Sequence, residues 1–70
     1  QLEEYSSALS NYQNALAVFQ AINSSTNKAI VLNRIGLVYD KLGNLEESLD
    51  AYQQSLNLYS QVNENLGRSR

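Results

Sequence analysis

The sequence predicts an all-α chain, built of antiparallel helix hairpins stacked as an α–α superhelix. Three observations predict it. Apolar residues recur at spacings of three and four in three separate runs, with no period-two alternation. Short clusters of turn-forming residues separate the runs. Shifting the chain by forty positions lays the first run on the third.

The first run, expected as a helix at about 4–23, carries Tyr5, Leu9, Tyr12, Leu16 and Phe19, with Ala8, Ala15 and Ile22 beside them. Asn23 to Asn27, "NSSTN", is a polar cluster that favours a loop and supplies helix N-caps. The second run, at about 27–42, carries Leu32, Ile35, Tyr39 and Leu42, flanked by Val31 and Val38. Gly43 suits the left-handed residue that ends a helix, and Asn44 with Glu47 makes a capping-box pattern. The third run, at about 45–63, carries Leu45, Leu49, Tyr52, Leu56 and Tyr59, with Ser48, Ser55 and Val62 beside them. Asn63 to Gly67 reads as another break, with a fourth helix expected from near Leu66.

The forty-residue shift pairs Leu9 with Leu49, Tyr12 with Tyr52, Leu16 with Leu56 and Asn23 with Asn63. Size and polarity also agree at Ala8 and Ser48, Ala15 and Ser55, Phe19 and Tyr59, Ile22 and Val62, and Lys28 and Arg68. One period is a helix pair. The expected organisation is therefore a second helix of a preceding repeat at 1–25, one full pair at 26–64, and the start of a further repeat at 65–70. The chain begins at Gln1 and reads as a segment of a longer one.

Composition narrows the chemistry. The sequence has neither histidine nor cysteine, which removes the usual zinc sites, Ser-His-Asp triads and Cys-His dyads. No cofactor and no metal site is expected, and the chain is not expected to be an enzyme. A net charge of −2 and a pI near 4.8 argue against a phosphate-tracking nucleic-acid binder. No apolar stretch approaches the roughly 20 residues of a membrane span, and a cytoplasmic location is expected.

The charged and aromatic clusters have structural readings. Glu46, Glu47 and Asp50 lie in the first turns of a helix, where negative charge offsets the macrodipole, and Glu3 and Glu4 hold the matching place in the earlier copy. Tyr5, Tyr12, Tyr39 and Tyr52 sit on the apolar stripes, and Tyr59 is expected to be buried with its hydroxyl at an edge. The five cations, Lys28, Arg34, Lys41, Arg68 and Arg70, form no cluster in sequence. They read as solubilising charges, with one edge of a superhelix as the other reading for Lys28 and Arg68.

The run "LNRIGLVYDKLGNLEESLDAYQQSL", Leu32 to Leu56, resembles the tetratricopeptide repeat. Leu32 takes the first large apolar place, Ile35-Gly36 the Leu-Gly place, and Tyr39 the tyrosine three residues on. Gly43 follows at the turn. Ser48, Tyr52 and Ser55 then take the small, aromatic and small positions of the second helix, as Ala8, Tyr12 and Ala15 do in the earlier copy. The chain departs in having Ser60 where the family has proline, and a period near forty rather than about thirty-four. It is similar in that respect to the longer-helix variants found in kinesin light chains and in regulators of cell polarity and bacterial signalling.

The resemblance implies a protein–protein interaction module within a larger scaffold or regulatory protein. Its first helix would line a concave surface that receives a peptide or partner helix. The positions implied to face that surface are Asn33, Arg34, Leu37, Asp40 and Lys41, with Leu37 the one apolar member. Related long-repeat proteins often carry asparagine just before the Leu-Gly pair; here that place holds Arg34, with Asn33 one residue earlier. Arg34 could instead pair with a carboxylate of a ligand. The alternatives are an architectural or self-associating spacer, through exposed terminal helix faces, and a regulatory array attached to an enzyme domain elsewhere. Gly36, inside a helix where it costs about 1 kcal/mol against alanine, is explained if another helix approaches it closely.

Overall fold

A computed structural model describes the backbone of residues 2–68 and the side chains of residues 3–64. It holds three helices: α1 (Leu2–Ala21), α2 (Ser25–Leu42) and α3 (Leu45–Arg68). α2 is central. α1 and α3 each pack along it and make no close backbone approach to one another.

Both connections end their helix in the same way. At the end of α1, Asn23 takes a left-handed φ of 60°. The Ser24 N–H donates to the Phe19 carbonyl at 2.9 Å and the Asn23 N–H to the Gln20 carbonyl at 3.1 Å. At the end of α2, Gly43 has φ 84°. The Asn44 N–H donates to Tyr39 at 2.9 Å and the Gly43 N–H to Asp40 at 3.1 Å. These paired bonds form the Schellman arrangement, which satisfies carbonyls that a helix end would otherwise leave open. Ser24 stands at the N-cap of α2 in an extended conformation and makes no side-chain capping bond. A Cβ added at Gly43 would meet nothing within 4 Å, so strain of the left-handed backbone is the whole penalty there. Gly43→Ala is expected to lose about 1 kcal/mol in a urea melt, and Gly43→Asn clearly less.

The buried core is drawn mainly from α2. Ala29, Val31, Leu32, Ile35 and Val38 are buried, joined by Ala51 of α3. Leu9, Tyr12, Ala15, Leu16 and Phe19 of α1 and Tyr39 of α2 pack against the cluster of Val31, Ile35 and Ala51. α2 thus buries two sides, one toward each neighbour.

The covered face of α3 differs from the one its strongest apolar stripe predicts. Ser48, Ala51 and Ser55 face α2 and are buried. Leu45, Leu49 and Leu56 are exposed, Leu49 at 69%. Tyr59 is also exposed, against the expectation of burial. At about 100° per residue the two faces lie roughly a quarter-turn apart, with Tyr52 between them. The reason lies in the repeat. Leu9, Leu16 and Phe19, the equivalents of Leu49, Leu56 and Tyr59, are packed because α2 lies against them. Among the described residues nothing lies against the same face of α3.

The end of α3 differs as well. The break expected at Asn63–Gly67 is absent and the helix runs to Arg68, so the expected boundary between 64 and 65 falls inside it. Asn23 turns the chain because α2 folds back onto α1; no described element folds back onto α3, and Asn63 stays helical. Arg70, and the side chain of Arg68 that was paired in sequence with Lys28, lie outside the described residues.

Candidate interaction surface

The surface of α2 is set by how tightly its other sides are packed. Toward α3 the approach is governed by small residues. The buried Ser48 hydroxyl donates to the Gly36 carbonyl at 2.8 Å, and the buried Ser55 hydroxyl to the Ala29 carbonyl at 2.7 Å. Seven residues forward on α3 is seven residues back on α2, so the helices run antiparallel in register over two turns, about 10 Å. A hydroxyl can reach a helix carbonyl only where no bulky side chain intervenes. Gly36 also lies under the ring of Tyr52: an added Cβ would be 2.8 Å from ring carbons Cδ1 and Cε1. Close approach thus explains the glycine, with both Ser48 and Tyr52 opposite it. Both serines are satisfied, and no buried side-chain polar atom among the described residues lacks a partner.

With those sides occupied, one arc of roughly 120° remains open on α2. Asn33, Arg34, Leu37, Asp40 and Lys41 all lie on it and are all exposed. Ile30 joins them, and the sequence reading missed it. Ile30 and Leu37 are 38% and 47% exposed, stand seven residues apart, and form an apolar line along the middle of the arc. Asn33 and Asp40, also seven apart, run along one side of this line. Arg34 and Lys41, seven apart again, run along the other. The helical repeat converts the sequence I-x-x-N-R-x-x-L-x-x-D-K into an apolar ridge with a cationic edge and an edge of Asn and Asp. The signal was present: Ile30 stands at the same seven-residue offset from Leu37 that joins the other two pairs.

The remaining candidates show no convergent chemistry. Glu46, Glu47 and Asp50 are exposed in the first turns of α3. Glu3 and Glu4 are exposed in the first turn of α1. Among the described residues no group of three or more acidic side chains is placed to hold a metal ion. No described helix is long and apolar enough to cross a membrane. Tyr5, Tyr12, Tyr39 and Tyr52 are half-buried on the packed sides of their helices, as packing residues rather than an open stacking platform. Of the repeat-signature positions, Leu32, Gly36, Ser48 and Ser55 are buried, Ala8 and Ala15 are half-buried, and Gly43 ends α2.

The tetratricopeptide repeat family model matches residues 1–61. No curated protein and no solved structure gives a significant match. Repeats of this kind are typically non-catalytic and generally mediate protein–protein interaction. The matched span covers α1, α2 and most of α3, and with it both copies of the small–aromatic–small pattern: the chain belongs to the tetratricopeptide repeat family.

Proposed function

We propose that the open arc of α2 is a partner-binding surface, and that the chain serves a larger scaffold or regulatory protein by presenting this arc to a peptide or partner helix. The observation that carries the reading is the line of Ile30 and Leu37. Both are apolar and exposed on a helix whose other apolar residues are mostly packed. Two apolar side chains two turns apart suit the apolar stripe of an amphipathic helix, and flanking residues of unlike charge fix its direction. Arg34 offers a bidentate site for a partner carboxylate.

Arg34 is exposed and touches none of the core, so Arg34→Glu is expected to leave far-UV circular dichroism and melting unchanged. Binding of an acidic partner should weaken roughly tenfold or more. Unfolding on this substitution would show that Arg34 belongs to the packed interior instead.

The organisation that fits this reading takes residues 1–25 as the second helix of one pair and α2 with α3 as a full pair, α3 running past the expected boundary at 64 to Arg68. A specific observation also favours the self-associating alternative, namely the open apolar face of Leu45, Leu49, Leu56 and Tyr59. Its equivalent on α1 is covered by α2, so the fitting occupant is a helix with the character of α2. The double variant Leu49→Glu/Leu56→Glu is expected to abolish any concentration-dependent association in analytical ultracentrifugation while keeping the monomer folded. Association that persists in this variant would exclude the face as its cause.

A further inference from the structure

On the side of α2 opposite the open arc, residues of all three helices line a cleft of about 280 Å³. Leu16 and Gln20 of α1, Lys28 and Leu32 of α2, and Gln54, Asn57 and Leu58 of α3 line it. Three leucines make its apolar part. Lys28 is its only charged lining residue and is half-buried. Gln54 is engaged, donating to Asp50 at 3.3 Å, with Asp50 one turn away and outside the lining. Gln20 and Asn57 make no side-chain hydrogen bond to another described residue, and neither does Lys28.

Helix stability does not account for Lys28. It stands near the start of α2, the end of the macrodipole where a cation is unfavourable. α1 and α3 carry acidic residues in their first turns and α2 carries none. In a chain of net charge −2, the one cation of this cleft has no carboxylate partner within it. An anion with an aliphatic neighbour would complete both halves of the lining.

We propose that this cleft is a second binding site, distinct from the α2 arc, and that it receives an aliphatic side chain with an adjacent carboxylate from a partner polypeptide. Leu16, Leu32 and Leu58 take the aliphatic group. The Lys28 ammonium pairs with the carboxylate, and the Gln20 and Asn57 amides donate to its remaining oxygen lone pairs. A polypeptide suits the site better than a free small acid. Small-molecule sites of roughly 300–1,000 Å³ enclose most of their ligand. This cleft is at the small end and rimmed by exposed Gln20, Gln54 and Asn57, so its occupant needs contacts beyond it along α1 and α3.

The test is a titration of the chain, with leucine methyl groups labelled for NMR, using three probes: the capped peptides acetyl-Leu-Glu-Leu-amide and acetyl-Leu-Gln-Leu-amide, and 4-methylpentanoate. The expected result is a saturable shift of the Leu16, Leu32 and Leu58 methyls with the glutamate peptide. The glutamine peptide should bind roughly fivefold more weakly or worse. Lys28→Gln should remove the difference between the peptides, and Lys28→Arg should restore it. Lys28 lies at the cleft rather than in the core, so circular dichroism should show both variants folded. Arg34→Glu, on the opposite side, should leave this titration unchanged, so failure here is separable from failure of the α2 surface. Equal binding of the two peptides, survival of the difference in Lys28→Gln, or absence of methyl shifts would overturn the proposal. Binding of 4-methylpentanoate as tight as that of the glutamate peptide would overturn the choice of a polypeptide occupant.

Discussion

Gly36→Val lowers the stability of the chain by about 2–3 kcal/mol, and in a urea melt the midpoint falls accordingly. The branched side chain must displace the Tyr52 ring, whose Cδ1 and Cε1 would lie 2.8 Å from even the first added carbon, or push α3 away. Pushing α3 away also breaks the bond from Ser48 to the Gly36 carbonyl. A 70-residue chain holds only about 3.5–10 kcal/mol at the usual 0.05–0.15 kcal/mol per residue, so this one change takes much of it. Alanine makes the sharper comparison because two effects oppose. Helix propensity favours alanine over glycine by about 1 kcal/mol, while overpacking against the ring costs about 1–3 kcal/mol. In the natural background Gly36→Ala should therefore be neutral to destabilising. In a Tyr52→Ala background the obstruction is gone and the same change should stabilise by about 1 kcal/mol. A Gly36→Val protein as stable as the natural one would refute the close-approach account.

Ser55→Leu should be at least as damaging, at about 3 kcal/mol. Ser55 is 3% exposed and its hydroxyl reaches the carbonyl of Ala29, itself fully buried. Leucine loses that hydrogen bond and brings a large side chain where α3 meets the α2 backbone. Ser55→Ala separates the two contributions. It deletes the bond but keeps the space, leaves the Ala29 carbonyl to its bond within the helix, and improves helix propensity. Its loss should stay within about 1 kcal/mol. Equal losses for alanine and leucine would mean that hydrogen bonding, and not helix separation, sets the site.

These two positions also show what the sequence reveals and what it conceals. The helices carried by the three apolar runs, the turns at Asn23 and Gly43, and the reason for Gly36 were legible because each depends on local chemistry: 3.6-residue periodicity, left-handed turn residues, a missing Cβ. The covered side of α3 was not. That helix has apolar or small residues around about half its circumference, and periodicity cannot tell which quarter meets α2 and which stays open. Ser48 and Ser55 look less core-like than Leu49 and Leu56, yet the serines are buried and the leucines exposed. Small size and a hydroxyl within reach of a carbonyl outweigh hydrophobicity where helices pack closely. The far end of α3 was misread for a related reason. Asn63 matches Asn23, but Asn23 takes a left-handed conformation where α2 packs back onto α1, whereas Asn63 stays helical. The surface of α2 was legible by subtraction. Removing its packed stripe leaves the five exposed positions, while Ile30, in the middle of the same arc, was passed over because an isoleucine beside Val31 and Leu32 reads as core.

The central claim is that α2 offers its open arc to a partner. Amide NMR of the chain, titrated with amphipathic peptides bearing free or amidated C-termini, tests it most directly. The predicted result is a set of shifts centred on Ile30, Asn33, Arg34, Leu37, Asp40 and Lys41, diminished in Arg34→Glu. Shifts confined to Leu45, Leu49, Leu56 and Tyr59 of α3, or none on α2 with any peptide, would contradict it and leave α2 a purely structural helix.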